Sequence, residues 1–297
     1  MIILFYNSPT IFRRRRTGAG RGLRRTSYGE RRFSAAGSCR AVRQAAKYHQ
    51  KIKLFESSEV HIMVSLETLS DMIDITAVAA DTRLADVDRI CDIAKAYHCA
   101  STITLPCYLA RTMKNTIGYE LLHGSVTGFP YGGELTSTKV YEAKQLELLG
   151  AQEIDMVMNI GAFLSGNLKY TKQDITAVCE AVKVPVKVII ETALLDNTQI
   201  AKASELVAGA GAPWVKSSTG FHGKPTTAEI VRIMKDAAGE AVKVKAAGGI
   251  RDLDTMLEMA EAGAERFGLG VRSCESIFLE LDKRLGRENL MEYITAS

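Results

Sequence analysis

The chain has 297 residues, of which 46% are hydrophobic and 24% are charged, and this is enough apolar sequence for one large core or two smaller ones. It contains no run of 18 or more apolar residues, so we expect no transmembrane helix and no membrane partner. The formal net charge of +4 is unevenly distributed: residues 1–62 carry a net charge of +11, and the remaining 235 residues carry −7. The mildly acidic body argues against a nucleic-acid partner.

The amino-terminal segment, residues 1–62, differs in composition from the rest of the chain. It contains 14 lysines and arginines, three glutamates and no aspartate. We expect this Arg-rich segment to be a disordered extension and residues 63–297 to form the folded domain. Three interpretations of the extension stay open: an organellar transit peptide, a basic arm that contacts RNA or anionic lipid, or a start codon assigned too far upstream, with Met63 as the true start.

The cysteines and histidines give no sign of a metal site. The six cysteines are scattered and form no CxxC pair, which favours reduced thiols in a cytoplasmic setting over a disulfide framework or a zinc site. The five histidines show no HExxH or similar ligand spacing. We therefore predict a cytoplasmic protein that uses no metal and no other cofactor.

From residue 66 onward, short apolar segments alternate with segments of helical periodicity. The predicted strands cover residues 71–76, 101–105, 124–130, 153–159 and 186–192, the segments that end near Lys216 and Lys245, and residues 265–270. A helical pattern follows each strand. Thr82 and Asp252 are predicted N-caps, and Thr226 with Glu229 forms a predicted capping box.

Eight strand–helix units in about 225 residues predict an α/β fold, a single (β/α)8 TIM barrel, rather than an open doubly wound sheet. In such a barrel, catalytic groups lie at the carboxyl ends of the strands, and the turns after the last strands often bind phosphate. Here those turns contain Gly248-Gly249 and Gly268-Leu269-Gly270, with Arg251 and Arg272 nearby. Glycine pairs are also ordinary turn residues, so this pattern alone is weak support for a phosphate site.

Lys216 lies near the end of a short apolar strand that breaks off into a turn of serine, threonine and glycine. Burial disfavours the ammonium form and lowers the pKa of a lysine by up to several units. A neutral amine is a good nucleophile toward carbonyl groups, and Schiff-base lysines arise in this way. The alternative is a lysine whose stem lies along the apolar surface while its amine reaches water.

Two further charged residues fit the same kind of site. Lys245 lies near the end of another apolar strand, and two lysines at the ends of neighbouring strands would lower each other's pKa. Asp155 interrupts an apolar run, where an unpaired carboxylate would be unfavourable, so it could pair with one lysine and carry protons. Lys243 is two residues before Lys245 and is predicted on the same side of the strand, nearer the barrel floor, so spacing alone does not select between them.

Five segments of the chain resemble signature segments of the deoxyribose-phosphate aldolase family, and the resemblance covers about residues 66–285 in order and at barrel spacing. The segments are Trp214-Val215-Lys216-Ser217-Ser218-Thr219-Gly220-Phe221, Val244-Lys245-Ala246-Ala247-Gly248-Gly249-Ile250-Arg251, Glu153-Ile154-Asp155-Met156-Val157-Met158-Asn159-Ile160-Gly161, Gly128-Phe129-Pro130 and Val188-Ile189-Ile190-Glu191-Thr192.

The resemblance implies a class I aldolase of deoxynucleoside catabolism that reversibly cleaves 2-deoxy-D-ribose 5-phosphate to acetaldehyde and D-glyceraldehyde 3-phosphate. It implies that Lys216 forms the Schiff base, that Lys245 lowers its pKa and that Asp155 relays protons through water. The implied partners are a sugar phosphate and an aldehyde, without a metal, and the family tends toward homodimers. The residues implied for binding the substrate and its phosphate are Ser218, Thr219, Gly220, Gly248, Gly249, Gly268 and Gly270.

The chain departs from the family pattern at several positions. Two of these departures are mild. Ser217 stands where the family often has threonine, and Ile75 stands where it has histidine or leucine. The last strand usually reads Arg-x-Gly-x-Ser, whereas this chain has Arg266-Phe267-Gly268-Leu269-Gly270 and lacks the hydroxyl that would face the phosphate. Two alternatives therefore stay open: Schiff-base chemistry on a different or unphosphorylated substrate, and a non-catalytic barrel that serves as a binding protein.

Overall fold

The computed structural model describes residues 66–289 together with residues 291 and 294, so the predicted extension at residues 1–62 lies outside the described residues. Eight parallel strands form a closed barrel in chain order, with the last strand paired to the first. The strands are β1 (Ile73–Ala77), β2 (Ser101–Thr104), β3 (Leu122–Thr127), β4 (Glu153–Val157), β5 (Val186–Ile189), β6 (Trp214–Lys216), β7 (Lys243–Ala247) and β8 (Ala264–Gly270). The predicted (β/α)8 barrel is confirmed.

Helices connect consecutive strands on the outside of the barrel. The α-helices are α1 (Leu84–Tyr97), α2 (Leu109–Asn115), α3 (Thr136–Leu149), α4 (Ile160–Leu164), α5 (Leu168–Ala181), α6 (Asn197–Gly209), α7 (Ala228–Ala238), α8 (Leu253–Glu261) and α9 (Val271–Leu285). Short 3-10 helices cover Leu66–Met72, Pro106–Tyr108 and Thr192–Leu194. The part of the chain that the structure describes contains no helix that is long and apolar enough to cross a membrane.

The core has the pattern expected of a parallel barrel covered by helices. Strands β4 and β5 are buried along their whole length, because parallel strands here are covered on both faces. Each long helix buries one stripe, as α7 does with Ile230, Val231 and Met234. The result is a rigid scaffold from which the strand ends project side chains.

The strand register places the charged strand residues side by side. Ile189 pairs with Lys216, and Lys216 pairs with Lys245. The pairing of β7 with β8 is irregular between Val244 and Lys245. Irregularities of this kind re-aim side chains and are frequent next to active sites.

Two helix starts differ by one residue from the prediction. The N-cap of α1 is Arg83 rather than Thr82. The N-cap of α7 is Thr227 rather than Thr226, because the Thr226 hydroxyl donates instead to the carbonyl oxygen of Ala247 at 2.6 Å.

The predicted start of α8 is confirmed. The Asp252 carboxylate accepts a hydrogen bond from the backbone N–H of Thr255 at 2.8 Å. This bond satisfies one of the free N–H groups in the first turn of the helix.

Candidate active site

Asp155, Lys216 and Lys245 meet in the barrel interior. They lie on β4, at the last residue of β6 and on β7. The Nζ atoms of Lys216 and Lys245 each donate to the same oxygen, Oδ2 of Asp155, at 2.7 Å. The Lys216 side chain is 5% exposed, and the other two are completely buried. Asp155 was predicted to pair with one lysine, and it pairs with both.

The surroundings of Lys216 favour a neutral amine. Burial lowers its pKa most, and the positive charge of Lys245 lowers it further, while Asp155 opposes both effects by stabilising the ammonium form. The net result is a pKa of about 8, below the ordinary lysine value of 10.5. An appreciable fraction of this amine is therefore uncharged near neutral pH and can attack a carbonyl group.

Lys245 does not share this property, so the prediction that the two lysines lower each other's pKa is wrong for Lys245. Burial alone would lower its pKa, but the carboxylates of Asp155, Asp74 and Glu153 outweigh burial and raise it above the ordinary value. Lys245 therefore stays an ammonium ion. It acts as a fixed positive charge beside Lys216.

A second set of buried charges, which was not predicted from the sequence, is in contact with these three residues. Asp74 on β1 contacts the Nζ of Lys245 at 2.6 Å, the Nζ of Lys187 at 3.1 Å and the guanidinium of Arg266 at 2.7 Å. Lys187 also contacts Glu153 at 2.6 Å. Although burial would raise the pKa of Asp74, its three cationic neighbours hold that pKa well below the ordinary value.

The connected charges do not balance when all of them are ionised. The set contains four cationic and three acidic side chains: Lys187, Lys216, Lys245 and Arg266 against Asp74, Glu153 and Asp155. Of these, Lys216 has its pKa shifted toward the neutral form, whereas the pKa values of Asp74, Asp155, Lys245 and Arg266 are shifted toward the charged form. Loss of the Lys216 proton removes the excess charge, which a buried cluster would otherwise have to tolerate.

Lys243, the other lysine of β7, lies outside this cluster. Its side chain is 56% exposed, contacts Glu265 at 3.8 Å and lies 5.3 Å from the centre of the Trp214 ring. The structure therefore selects Lys245 as the neighbour of Lys216, a choice that the spacing of the two lysines left open.

A cavity of about 540 Å³ lies next to Lys216, which forms part of its wall. Six of the seven residues predicted to bind the substrate line this cavity: Thr219, Gly220, Gly248, Gly249, Gly268 and Gly270. The seventh, Ser218, is buried, and its hydroxyl oxygen lies 3.0 Å from that of Thr192. Of the two arginines noted near the glycine turns, Arg272 lines the cavity.

Two of these glycines preserve the shape of the cavity. Gly249 has a φ of 77°, and a Cβ there would lie 2.5 Å from Cβ of Pro225. A Cβ at Gly268 would lie 3.0 Å from Cβ of Ala247 and 3.3 Å from Cε of Lys245, which are tight contacts. Gly249 therefore cannot be replaced without a shift of Pro225, whereas a side chain at Gly268 would require only a small shift of Ala247 or Lys245.

Comparison with known proteins agrees with this geometry. A family model described as DeoC/LacD family aldolase matches residues 65–279. The chain belongs to the DeoC/LacD family of aldolases. As a member of this family it is an enzyme, a carbon–carbon lyase, and the alternative of a non-catalytic binding protein falls away.

Relatives of this aldolase include two proteins of Staphylococcus aureus. The chain is 46% identical over 198 residues to deoxyribose-phosphate aldolase 2 of strain MSSA476, and 46% identical over 197 residues to deoxyribose-phosphate aldolase 1 of strain Mu50. Each match covers 66% of this chain and 90% of the relative. A solved structure of deoxyribose phosphate aldolase from Aeropyrum pernix, described as a unique tetramer, is 28% identical, with a TM-score of 0.67 over 74% of this chain and 93% of that one.

A further buried carboxylate of this DeoC/LacD aldolase holds the loop after β6. Glu191 has a φ of 57° and is fully buried. Its carboxylate accepts from the backbone N–H and from the hydroxyl of Thr219, and it lies 3.4 Å from Nδ1 of His222. A left-handed conformation at a residue other than glycine is strained and often marks a functional site. The motif containing Glu191 was noted in the sequence, but its role as an anchor for Thr219 was not.

Proposed function

We propose that this aldolase reversibly cleaves 2-deoxy-D-ribose 5-phosphate to acetaldehyde and D-glyceraldehyde 3-phosphate through a Schiff base on Lys216. The observation that carries the proposal is the burial of Lys216 close to the positive charge of Lys245, because these two effects outweigh the opposing effect of Asp155 and hold the pKa of the Lys216 amine at about 8. The names of the Staphylococcus aureus relatives support the substrate.

In the first step, the neutral amine of Lys216 adds to the C1 aldehyde of the open-chain sugar and forms a carbinolamine. The hydroxyl group of the carbinolamine is protonated and leaves as water, which gives a protonated imine. Asp155 contacts both lysines, so we propose that it passes protons between the reacting group and the buried cluster, directly or through a water molecule.

In the second step, a base removes the proton of the C3 hydroxyl, and Asp155 is the proposed acceptor through water. The C3–O bond becomes a carbonyl, the C2–C3 bond breaks, and its electron pair forms an enamine with the imine nitrogen as electron sink. D-Glyceraldehyde 3-phosphate leaves. Protonation of the enamine at C2 and hydrolysis of the imine release acetaldehyde and restore the amine.

A second candidate keeps this chemistry but changes the substrate. Gly270 stands where related proteins are expected to carry a hydroxyl, and a Cβ there would meet nothing within 4 Å. This space is compatible with a different phosphorylated sugar or with an unphosphorylated aldehyde. The two candidates share the Schiff base and differ only in how the far end of the substrate is recognised.

Trapping with borohydride tests the shared chemistry. Acetaldehyde and borohydride should leave an ethyl group on Lys216, which peptide mass spectrometry would locate. Lys216→Ala should abolish the adduct, whereas Lys243→Ala should retain it because Lys243 is exposed and lies outside the cluster. An unlabelled wild-type protein would refute the Schiff-base proposal.

Comparison of 2-deoxyribose with its 5-phosphate then separates the two substrates. A much higher kcat/KM for the phosphorylated sugar would support the first candidate. Equal values would favour the second and would show that the cavity makes no use of the phosphate.

A further inference from the structure

The segment that connects β6 to α7, residues 217–227, contributes a turn to the cavity wall. Thr219, Gly220 and Phe221 of this turn line the cavity. Glycines with positive φ stand on both sides of Phe221, Gly220 at 89° and Gly223 at 73°. Because glycine adopts many backbone conformations, the position of the turn depends on the groups that hold it.

Two neighbouring strands hold different parts of this segment. Near its ends, the hydroxyls of Ser217 and Thr226 donate to the carbonyl oxygen of Ala247 on β7, at 2.8 Å and 2.6 Å. Its middle is held from the β5 side by Glu191, whose carboxylate accepts the backbone N–H of Thr219 at 3.2 Å and also the Thr219 hydroxyl. Glu191 is fully buried, so this carboxylate is a fixed point beneath the turn.

The Thr219 hydroxyl connects Glu191 to Phe221. It donates to the Glu191 carboxylate and accepts the backbone N–H of Phe221 at 3.2 Å. A hydroxyl group has one donor, and here that donor is directed at Glu191. The backbone position of Phe221 therefore depends on a carboxylate that lies below the cavity wall.

The Phe221 ring contacts Phe129, which follows β3. The two rings meet edge to face, with their centres 5.5 Å apart and their planes at 85°. Phe129 packs against the core, whereas Phe221 is 45% exposed. Since β4 and β5 separate β3 from β6 in the closed barrel, this contact spans the carboxyl end of the barrel above those two strands.

The contact between the rings lies on the closed side of the active site. The cavity is lined by the carboxyl ends of β1, β6, β7 and β8 and by the segments that follow them. Asp155, on β4, lies on the other side of Lys216, with Oδ2 at 2.7 Å from its Nζ. Water that entered between Phe221 and Phe129 would therefore approach the Lys216 amine from the side of its carboxylate partner.

We infer that Glu191 is a positioning residue for the aldol reaction and that it acts through the Thr219 hydroxyl to hold Phe221 in place. The contact of Phe221 with Phe129 then shields the Lys216 amine from bulk water. This inference rests on the proposed function. Exclusion of water protects reactive intermediates from hydrolysis, and here it would protect the imine and the enamine.

The test measures the pH dependence of borohydride trapping with acetaldehyde, whose acidic limb reports deprotonation of Lys216. Burial is the largest cause of the low pKa of Lys216, so entry of water should raise that pKa. In Glu191→Gln and in Phe129→Leu the midpoint should move up from about pH 8 by at least about half a pH unit. Glu205→Gln, which changes an exposed acid on α6, should match the wild type.

The sign of the shift separates hydration from a change of charge. Loss of the negative charge of Glu191 would by itself lower the pKa of Lys216, so an upward shift in Glu191→Gln reports water. The charged groups with the largest effect on Lys216 stay in place in every variant: Asp155 on β4, Lys245 on β7 and Asp74 on β1. His222 lies 3.4 Å from Glu191 and keeps this contact in Phe129→Leu, so a shift shared by both variants does not come from His222.

A matched pair at Thr219 tests the connection between Glu191 and Phe221. Thr219→Val removes the hydroxyl at nearly constant shape and should shift the midpoint upward as Glu191→Gln does. Thr219→Ser keeps the hydroxyl and should match the wild type. The pair also tests the inference if Glu191→Gln does not fold.

The outcomes separate this inference from the proposed function. If the wild type takes up no label on Lys216, both fail together. If Lys216 is labelled but the midpoint is unchanged or lower in Thr219→Val and Phe129→Leu, the inference is wrong and the Schiff base stands. An upward shift in Glu191→Gln that Phe129→Leu does not reproduce would also overturn the inference, because Glu191 would then act by another route.

Discussion

The Nζ of Lys216 lies 2.7 Å from Oδ2 of Asp155, and the same oxygen accepts a second bond of 2.7 Å from Lys245. One carboxylate oxygen thus serves two amines, of which only Lys216 lines the cavity. Because the surrounding cluster has one positive charge too many, the amine next to the cavity is the one that can lose its proton at the least cost. The low pKa of Lys216 therefore comes from burial and from the whole cluster, and Lys245 is one contributor.

Lys245→Met should move the acidic limb of the pH profile of kcat/KM to higher pH. In the wild type, activity should rise with pH until Lys216 loses its proton, near pH 8. Removal of the Lys245 charge takes away one cause of the low pKa and leaves Asp155 to stabilise the Lys216 ammonium, so that pKa rises. Activity at neutral pH should fall roughly tenfold if the midpoint of the limb moves up by one pH unit.

The control for this prediction is Lys243→Met, since Lys243 is exposed on the same strand. It should leave the pH profile unchanged. An unaltered profile in Lys245→Met would mean that desolvation alone lowers the pKa of Lys216.

Asp155→Asn should separate amine reactivity from turnover. Asp155 raises the pKa of Lys216, so its loss should move the acidic limb of borohydride trapping to lower pH. Turnover should nevertheless fall by about 10²–10⁴-fold, because the proposed proton carrier is gone. Trapping and kcat should be measured over the same pH range. If borohydride trapping and kcat change in the same direction, Asp155 acts only through the pKa of Lys216.

Asp74→Asn should destabilise the fold at neutral pH. Asp74 is fully buried among three cationic groups, and breaking a buried ion pair costs about 3–5 kcal/mol. Because the pKa of Asp74 is depressed in the folded state, the stability it contributes is present above about pH 4, the unfolded value, and disappears as pH falls through the folded value. The difference in unfolding free energy between wild type and variant should therefore shrink in acid.

Denaturant unfolding at a series of pH values measures this difference. The matched control is Asp254→Asn, which removes an acid that is 71% exposed and pairs with Arg284. It should change stability less than Asp74→Asn at neutral pH, because solvent screens exposed pairs. If the free energy of unfolding falls by the same amount in both variants, the buried cluster contributes little to stability.

The barrel was predictable from the sequence because its signal is local. Apolar strand segments alternate with segments of helical periodicity, and each strand–helix unit can be recognised without knowledge of the strands that pair with it. The predicted N-caps Thr82 and Thr226 failed because a threonine can cap a helix or bond elsewhere, and only the fold shows that the Thr226 hydroxyl is taken by Ala247. One-residue errors at helix ends are ordinary.

The active site was predictable in part. Asp155, Lys216 and Lys245 stood out as charges in apolar strands next to turns, and a family resemblance assigned their roles. Asp74 and Lys187 carry the same signal, but they are 113 residues apart in sequence and lie on β1 and β5. Their contact follows only from closure of the barrel. The raised pKa of Lys245 was unpredictable for the same reason, since it depends on carboxylates from strands distant in the chain.

The most direct test of the account is a titration of Lys216 itself. Trace acetylation with acetic anhydride from about pH 6 to about pH 11, quantified by peptide mass spectrometry, reports the neutral fraction of each lysine that the reagent reaches. Labelling of Lys216 should rise with a midpoint near pH 8. A midpoint near the ordinary lysine pKa of 10.5 would contradict a neutral Lys216 amine, because the amine would then remain an ammonium ion at the pH where the enzyme is proposed to work.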